Sequence, residues 1–209
     1  MPLSSAIEGN GMEKLIKIEC NDISKTFIQK GTVEVPVIKD VSLAVHENEF
    51  LVILGPGQCG KSTLLRILSG LDTNFRGRIG GDERRAVVFQ EPVLLPWRDA
   101  LANVTIPTGC ADGVARDWLA QVGLAGQGAK FPRQFSLGQQ RRLALARAFA
   151  AAPDILLMDE PFASLDGETA ARMVALTDAL LSRSGAGLVL VTHSPDEARA
   201  LRATEWRLS

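Results

Sequence analysis

Tyrosine is absent and histidine nearly so: His46 and His193 are the only imidazoles in 209 residues, beside three cysteines, Cys20, Cys59 and Cys110. None of these side chains is spaced as a metal-binding pair, which argues against a site built from His and Cys ligands. Three scattered thiols suit a reducing compartment better than a disulfide framework. An excess of charge of either sign is also missing. Twenty-three Lys and Arg face 24 Asp and Glu, a net charge of −1, which excludes a protein whose chief affinity is a global positive field for nucleic acid. Long apolar runs are lacking too. Runs such as Phe50–Leu54 and Ile155–Met158 fall far short of the roughly 18 residues that a membrane span needs. The opening MPLSSAIEGNG has no basic end followed by an apolar block, so it does not read as a secretory signal.

What is present is the grammar of one α/β domain. Residues 1–11 are small, polar and Gly-bearing and read as a disordered tail, with Met12 a candidate start and the folded domain spanning 12–209. From Leu15, β-branched residues alternate with polar ones through Ile18, Val33, Val35, Val37, Val41 and Val45, which predicts antiparallel strands with one wet face. Phe50–Leu54 is a continuous apolar run closed by Gly55-Pro56-Gly57. Such a run fits a parallel strand buried on both faces. A helix follows over Ser62–Gly70, then short strands at Ala86–Phe89, Ile155–Met158 and Leu188–Val191. Further helices are expected at Ala115–Val122, Ser136–Ala152, Gly167–Arg183 and Pro195–Arg202. Strands alternating with helices mean a parallel sheet. Pro92–Phe135 holds Pro, Trp and Gly with two weak helices and no strand, so a small inserted helical lobe is expected at about 92–152. The fold class is thus a phosphate-loop α/β domain with a parallel core sheet, an N-terminal antiparallel β subdomain and that lobe.

Gly55-Pro56-Gly57-Gln58-Cys59-Gly60-Lys61-Ser62-Thr63 fits the phosphate-loop pattern, a buried strand before it and a helix after it. Glycines let the backbone curl so that successive N–H groups point at phosphate oxygens. The helix that opens there offers unpaired donors and a partial positive charge. Lys61 is expected to reach the β and γ phosphates, and Ser62 to offer its hydroxyl to Mg²⁺. About a hundred residues on, the strand Ile155–Met158 ends in Asp159 and Glu160. Ligands sit at the C-terminal ends of parallel strands, so Asp159 is a candidate Mg²⁺ holder and Glu160 a candidate polariser of attacking water.

These motifs, with four more, resemble the ATP-binding subunit of an ABC transporter over roughly Leu15 to Leu208. Gln90 matches the family's Q-loop, Phe135-Ser136-Leu137-Gly138-Gln139 its signature, and His193 its switch histidine, with Ser164-Leu165-Asp166 as the D-loop. The resemblance implies ATP as ligand and Mg²⁺ as cofactor. It also implies that Gln90 shares in Mg²⁺ coordination and catalysis, and that Phe27 stacks on adenine. It implies too that a second copy packs head to tail, so that Ser136, Gly138 and Gln139 of one chain meet the nucleotide on the loop of the other. It further implies membrane permease subunits docked near Glu91–Asp99, a separate substrate-binding protein, and a peripheral position on the cytoplasmic face of the membrane. Leu94, Leu95 and Trp97 with Arg98 form an apolar dock there, or else Leu95 and Trp97 simply pack the lobe. The string VFQEPVLLPWRDALANV most resembles importers of the nitrate, alkylsulfonate and taurine type.

The chain departs from the family pattern in places. A glycine in the phosphate loop is displaced by one, to Gly57. Either Gln58 takes φ > 0 at about 1–2 kcal/mol, or Gly57 takes over the bend. Leu137 replaces a signature glycine and is expected to slow hydrolysis. Asn48 stands where glycine is usual and tolerates a left-handed turn. Asp72–Arg85, a sheet edge, and Thr105–Phe131 are shorter than usual, and no room is expected for a C-terminal regulatory domain. A degenerate partner in a heterodimer is the alternative reading, favoured by Gln58 and Leu137 and opposed by Glu160, Gln90 and His193. A GTPase lacks its Asn-Lys-x-Asp motif here, and a soluble DNA-repair or translation ATPase would need long added domains.

Overall fold

The structure, a computed structural model, describes residues 15–29, 33–81 and 83–208. The expected N-terminal tail therefore lies outside the described residues. The alternating stretch forms two long antiparallel strands, β1 (Ile16–Gln29) and β2 (Val33–His46), with Cys20 opposite Leu43 and Phe27 opposite Val35. One face carries Ile18, Cys20, Ile23, Ile38, Val41 and Val45 into a core; the odd steps from Cys20 to Ile23 and from Ile38 to Val41 contain the left-handed residues Asp22 and Asp40, where the pairing register is irregular. The turn between β2 and the next strand places Asn48 at φ 57, the left-handed conformation expected of it.

Phe50–Leu54 is β3, and α1 (Lys61–Leu68) follows the phosphate loop. Next come β4 (Arg76–Gly80) and β5 (Arg85–Val88). The Asp72–Arg85 segment is a sheet edge as expected, and β4 within it pairs with β1 as the third strand of the antiparallel sheet. The lobe contains α2 (Ala100–Thr108) and α3 (Asp112–Gln121), with no strand from 92 to 135, and leads into α4 (Leu137–Ala150). The chain then runs through β6 (Ile155–Asp159), α5 (Gly167–Ser184), β7 (Gly187–Thr192), α6 (Pro195–Ala200) and β8 (Thr204–Arg207).

The second sheet is fully parallel, in the order β5-β6-β7-β3-β8. Its strands explain why they read as unbroken apolar runs. Leu51, Ile53, Ile155, Leu157, Val189 and Val191 enter the core beneath α1 and the antiparallel sheet. Val52, Leu54, Leu156, Met158, Leu188 and Leu190 enter a second core that includes residues of α2 to α5. Both faces are buried, so no polar alternation survives. Trp118 stacks on Phe149, centroids 5.4 Å apart, and joins α3 to α4 within that core. Among the described residues no helix is long and apolar enough to cross a membrane.

This topology aligns the site. Leu54 is level with Thr192, and Asp159 with Val191. The segments leaving β6, β7 and β3 therefore emerge side by side at one edge of the sheet.

Candidate nucleotide site

The phosphate loop turns by a left-handed residue at Gln58, φ 65, and another at Gly60, φ 100. Gly57 does not take over the bend: its φ is not in the left-handed region, and a Cβ added there would meet nothing within 4 Å. The displaced glycine thus leaves the strain on Gln58. Gly55 and Gly60 are required for a different reason. A Cβ on Gly55 would lie 2.7 Å from the Leu208 carbonyl oxygen, and one on Gly60 2.7 Å from that of Val37. Backbone is packed against backbone at both positions, and only glycine fits.

Lys61 is buried, and its ammonium donates to the carbonyl oxygens of Gly55 (2.9 Å) and Pro56 (2.8 Å). It has no ion-pair partner among the described residues. A buried cation without a carboxylate is costly, and an anion on the loop would relieve this cost.

Ser62 donates its hydroxyl to Asp159 Oδ1 at 2.9 Å across 97 residues of sequence. Burial pushes the Asp159 carboxyl above its ordinary range. The Ser62 hydrogen bond opposes this, the charge of Glu160 adds to it, and Lys61 and Arg66 oppose it. A cation beside Asp159 reverses this penalty. Among the described residues no three His, Cys, Asp or Glu side chains gather to hold a metal. Two hard oxygen donors side by side do fit Mg²⁺, which is usually held by one or two carboxylates plus substrate phosphates.

Glu160 has φ 43, an uncommon backbone for a non-glycine residue. Its N–H donates to the Val191 carbonyl at 2.9 Å, which ties it to β7. Its Oε2 lies 3.6 Å from His193 Nδ1. His193 is two-thirds exposed and stands at the end of β7. The candidate water polariser and the switch histidine are therefore neighbours.

Phe27, Val37, Gly57, Gln58, Gly60, Lys61, Ser62, Thr63 and Glu160 line one open cleft of about 270 Å³. Phe27 is 41% exposed on its wall, so it is not a core residue. Gln90 is exposed beyond β5, and neither it nor His193 lines this cleft. The signature residues lie outside it as well. Ser136 caps α4, its Oγ accepting from Gln139 N at 3.3 Å while Gln139 Oε1 accepts from Ser136 N at 3.0 Å. This reciprocal box orders the helix start and leaves the exposed Ser136 O–H free to donate outward.

In the segment after Gln90, Trp97 is 68% exposed while Leu94 and Leu95 are half-buried. Sequence reasoning missed what holds this segment. Asn103 is fully buried, accepts from Leu95 N (2.7 Å) and donates to the carbonyls of Leu95, Arg98 and Asp99. Arg147 of α4 donates to the carbonyls of Pro92 and Val93, and Val93 has φ 43. A lone Asn inside an otherwise apolar helix, ALANVTI, was the available signal for the first. The Ala-rich context of Arg147 carried none.

The sequence profile of the ABC transporter family matches residues 38–163, more than half of the chain. The aliphatic sulfonates import ATP-binding protein SsuB 3 of Paraburkholderia xenovorans is 47% identical over 168 residues, 79% of this chain and 68% of that protein. The taurine import ATP-binding protein TauB of Pseudomonas aeruginosa is 43% identical over 197 residues, 87% of this chain and 74% of that protein. Among solved structures, the ATP-binding cassette MJ0796 in a dimeric post-hydrolysis state bound to ADP and Pi superposes with a TM-score of 0.79. It is 31% identical and covers 88% of this chain and 90% of that one. A second dimeric structure of MJ0796 gives a TM-score of 0.80 at 30% identity, covering 91% and 94%. The motifs, the meeting of the phosphate loop, Asp159, Glu160 and His193 at the C-terminal ends of the core strands, and these similarities agree, and the chain belongs to the ABC transporter family as an ATP-binding subunit.

Proposed function

We propose that this chain binds and hydrolyses ATP to drive a membrane importer, and that the cargo is a small sulfonate- or taurine-like oxyanion. One observation carries the site assignment. Phe27, the phosphate loop and Glu160 line one cleft, Ser62 in that cleft holds Asp159, and the capped signature stands outside it. The likeness to sulfonate and taurine import proteins supports the cargo class.

In this reading Phe27 stacks on adenine, and the loop N–H groups from Gly57 to Thr63 hold the phosphates. Lys61 exchanges its contacts with Gly55 and Pro56 for phosphate oxygens. Ser62 and Asp159, with Gln90, hold Mg²⁺, which supplies charge neutralisation on the transferring phosphoryl group. Glu160 orients and polarises the attacking water, and His193 beside it contacts the γ-phosphate and registers its loss. Ser136, Gly138 and Gln139 act on the nucleotide of a second copy. The dimeric solved relatives support that assembly. ATP closes the pair because its γ-phosphate contacts both halves, and hydrolysis removes those contacts. The exposed Trp97, with the Glu91–Asp99 segment around it, receives the permease and so places the subunit at the cytoplasmic face of the membrane.

The test is light scattering on Glu160→Gln with and without Mg-ATP. Removing the carboxylate stops hydrolysis without altering the phosphate grip, so an ATP-dependent shift from monomer to dimer is expected. A variant that binds ATP yet stays monomeric under all conditions would overturn the two-copy site.

A further inference from the structure

Two lysines are buried among the described residues, Lys61 and Lys25. The first is explained by the phosphate loop; nothing in the mechanism above uses the second. A buried ammonium is costly unless its charge and donors are met, and Lys25 meets two acceptors and one aromatic face. Its Nζ lies 2.9 Å from Asp72 Oδ1, donates to the Asn74 carbonyl, and sits 4.9 Å from the centroid of the Phe27 ring. Lys25 and Phe27 are two apart on β1, the spacing that puts side chains on one face of a strand.

Asp72 lies just past α1, in the turn that folds back on the helix's last residues. Leu71 N and Asp72 N both donate to the Arg66 carbonyl, at 2.9 and 3.1 Å, and Asp72 Oδ1 also accepts from Asn74 N at 3.0 Å. The helix whose first turn forms the phosphate site is thus tied at its last turn, through Asp72 and Lys25, to the aromatic ring on the opposite side of the cleft. Phe27 is otherwise 41% exposed. A phenyl ring so exposed near a strand end turns freely unless something seats it.

We propose that Lys25 is a positioning residue for the base: it seats one face of Phe27 and fixes that ring against the phosphate loop, leaving the opposite face to adenine. The inference rests on the reading of Phe27 as the stacking surface. The ammonium also draws ring π-density towards itself, which favours an electron-rich purine on the far face. Lys25 acts on the base and leaves the phosphate grip untouched.

The experiment measures dissociation constants for ATP and for inorganic tripolyphosphate, which has no base. The full chain is compared with Lys25→Met, Lys25→Arg, Phe27→Ala and the Lys25→Met/Phe27→Ala pair. Lys25→Met is expected to weaken ATP about 3- to 10-fold, the range of a partly desolvated cation–π contact, with tripolyphosphate unchanged. Lys25→Arg restores most of the loss, and Lys25→Met has no further effect once Phe27 is Ala. If Lys25→Met weakens tripolyphosphate as much as ATP, or costs the same without the ring, Lys25 serves only the fold and the proposal falls. If Phe27→Ala itself leaves ATP affinity unchanged, the stacking assignment fails first and takes the proposal with it.

Discussion

At the scale of single residues, the phosphate loop shows how one displaced glycine moves strain onto its neighbour. Gln58 holds φ 65 while Gly57 beside it needs no such freedom. A left-handed non-glycine residue costs about 1–2 kcal/mol, so Gln58→Gly is expected to stabilise the chain by about 1 kcal/mol. For a chain of this size that raises Tm by about 2–4 °C. An unchanged or lower Tm by calorimetry would show that the Gln58 side chain compensates for its backbone. The Lys25–Asp72 pair makes a second residue-scale prediction. Hydrogen bonding to Lys25 first, then the Asn74 N–H and the charges of Lys25 and Arg66, hold the Asp72 carboxyl below its ordinary range against a smaller effect of burial. A depressed carboxylate stabilises the fold fully above its unfolded pKa of about 3.9 and loses that contribution as pH falls through the folded value. Asp72→Asn should therefore melt below the parent at about pH 7, and the gap should hold down to about pH 4 and close only as the pH falls further, through the depressed folded value. A gap that stays constant with pH would mean that the pair's charge contributes nothing.

At the scale of elements, the segment from Glu91 to Asp99 is held from two helices. Asn103 of α2 makes four hydrogen bonds to its backbone and Arg147 of α4 makes two more. Asn103→Ala leaves buried backbone groups unpaired and should cost about 2–3 kcal/mol, read as a lower denaturation midpoint. Trp97 is exposed, so Trp97→Ala should change stability by less than about 0.5 kcal/mol. It should nevertheless weaken permease binding by about 2 kcal/mol or more, as a central aromatic contact does. Equal permease binding by parent and Trp97→Ala would remove this residue from the dock. The core-sheet strands were legible because burial on both faces leaves unbroken apolar runs. The individual role of β4 was not: Arg-Gly-Arg-Ile-Gly has neither a run nor an alternation, and it becomes a strand because the outer edge of β1 supplies its partner. Asn103 was visible as a polar residue in an apolar helix, but its acceptors lie on a loop whose course no periodicity predicts.

At the scale of the whole molecule, the signature of one chain is separate from its own nucleotide cleft, which suits a site completed by a second copy. Leu137 is 45% exposed beside the free Ser136 hydroxyl. In the proposed two-copy site its side chain would limit how closely a partner's phosphate approaches α4. Leu137→Gly is therefore expected to raise steady-state ATP turnover several-fold in the assembled transporter while leaving nucleotide affinity of the separate subunit unchanged. Turnover that stays level or falls would show that the side chain is accommodated in the closed pair.

The sequence by itself determined the chemistry. A phosphate loop between a buried strand and a helix, and a carboxylate pair ending another buried strand, are local patterns whose physics is complete within a few residues. So is the Ser136 cap, because Ser136 and Gln139 satisfy each other three residues apart. Only the tertiary structure decided which of two neighbouring loop residues bears the left-handed turn. It also decided that Glu160 meets His193 and that a buried lysine on β1 stands under Phe27 and grips the end of α1. Those facts depend on the strand order β5-β6-β7-β3-β8 and on one sheet lying over another. Contacts between residues far apart in the chain are set by packing, which no short stretch of sequence contains.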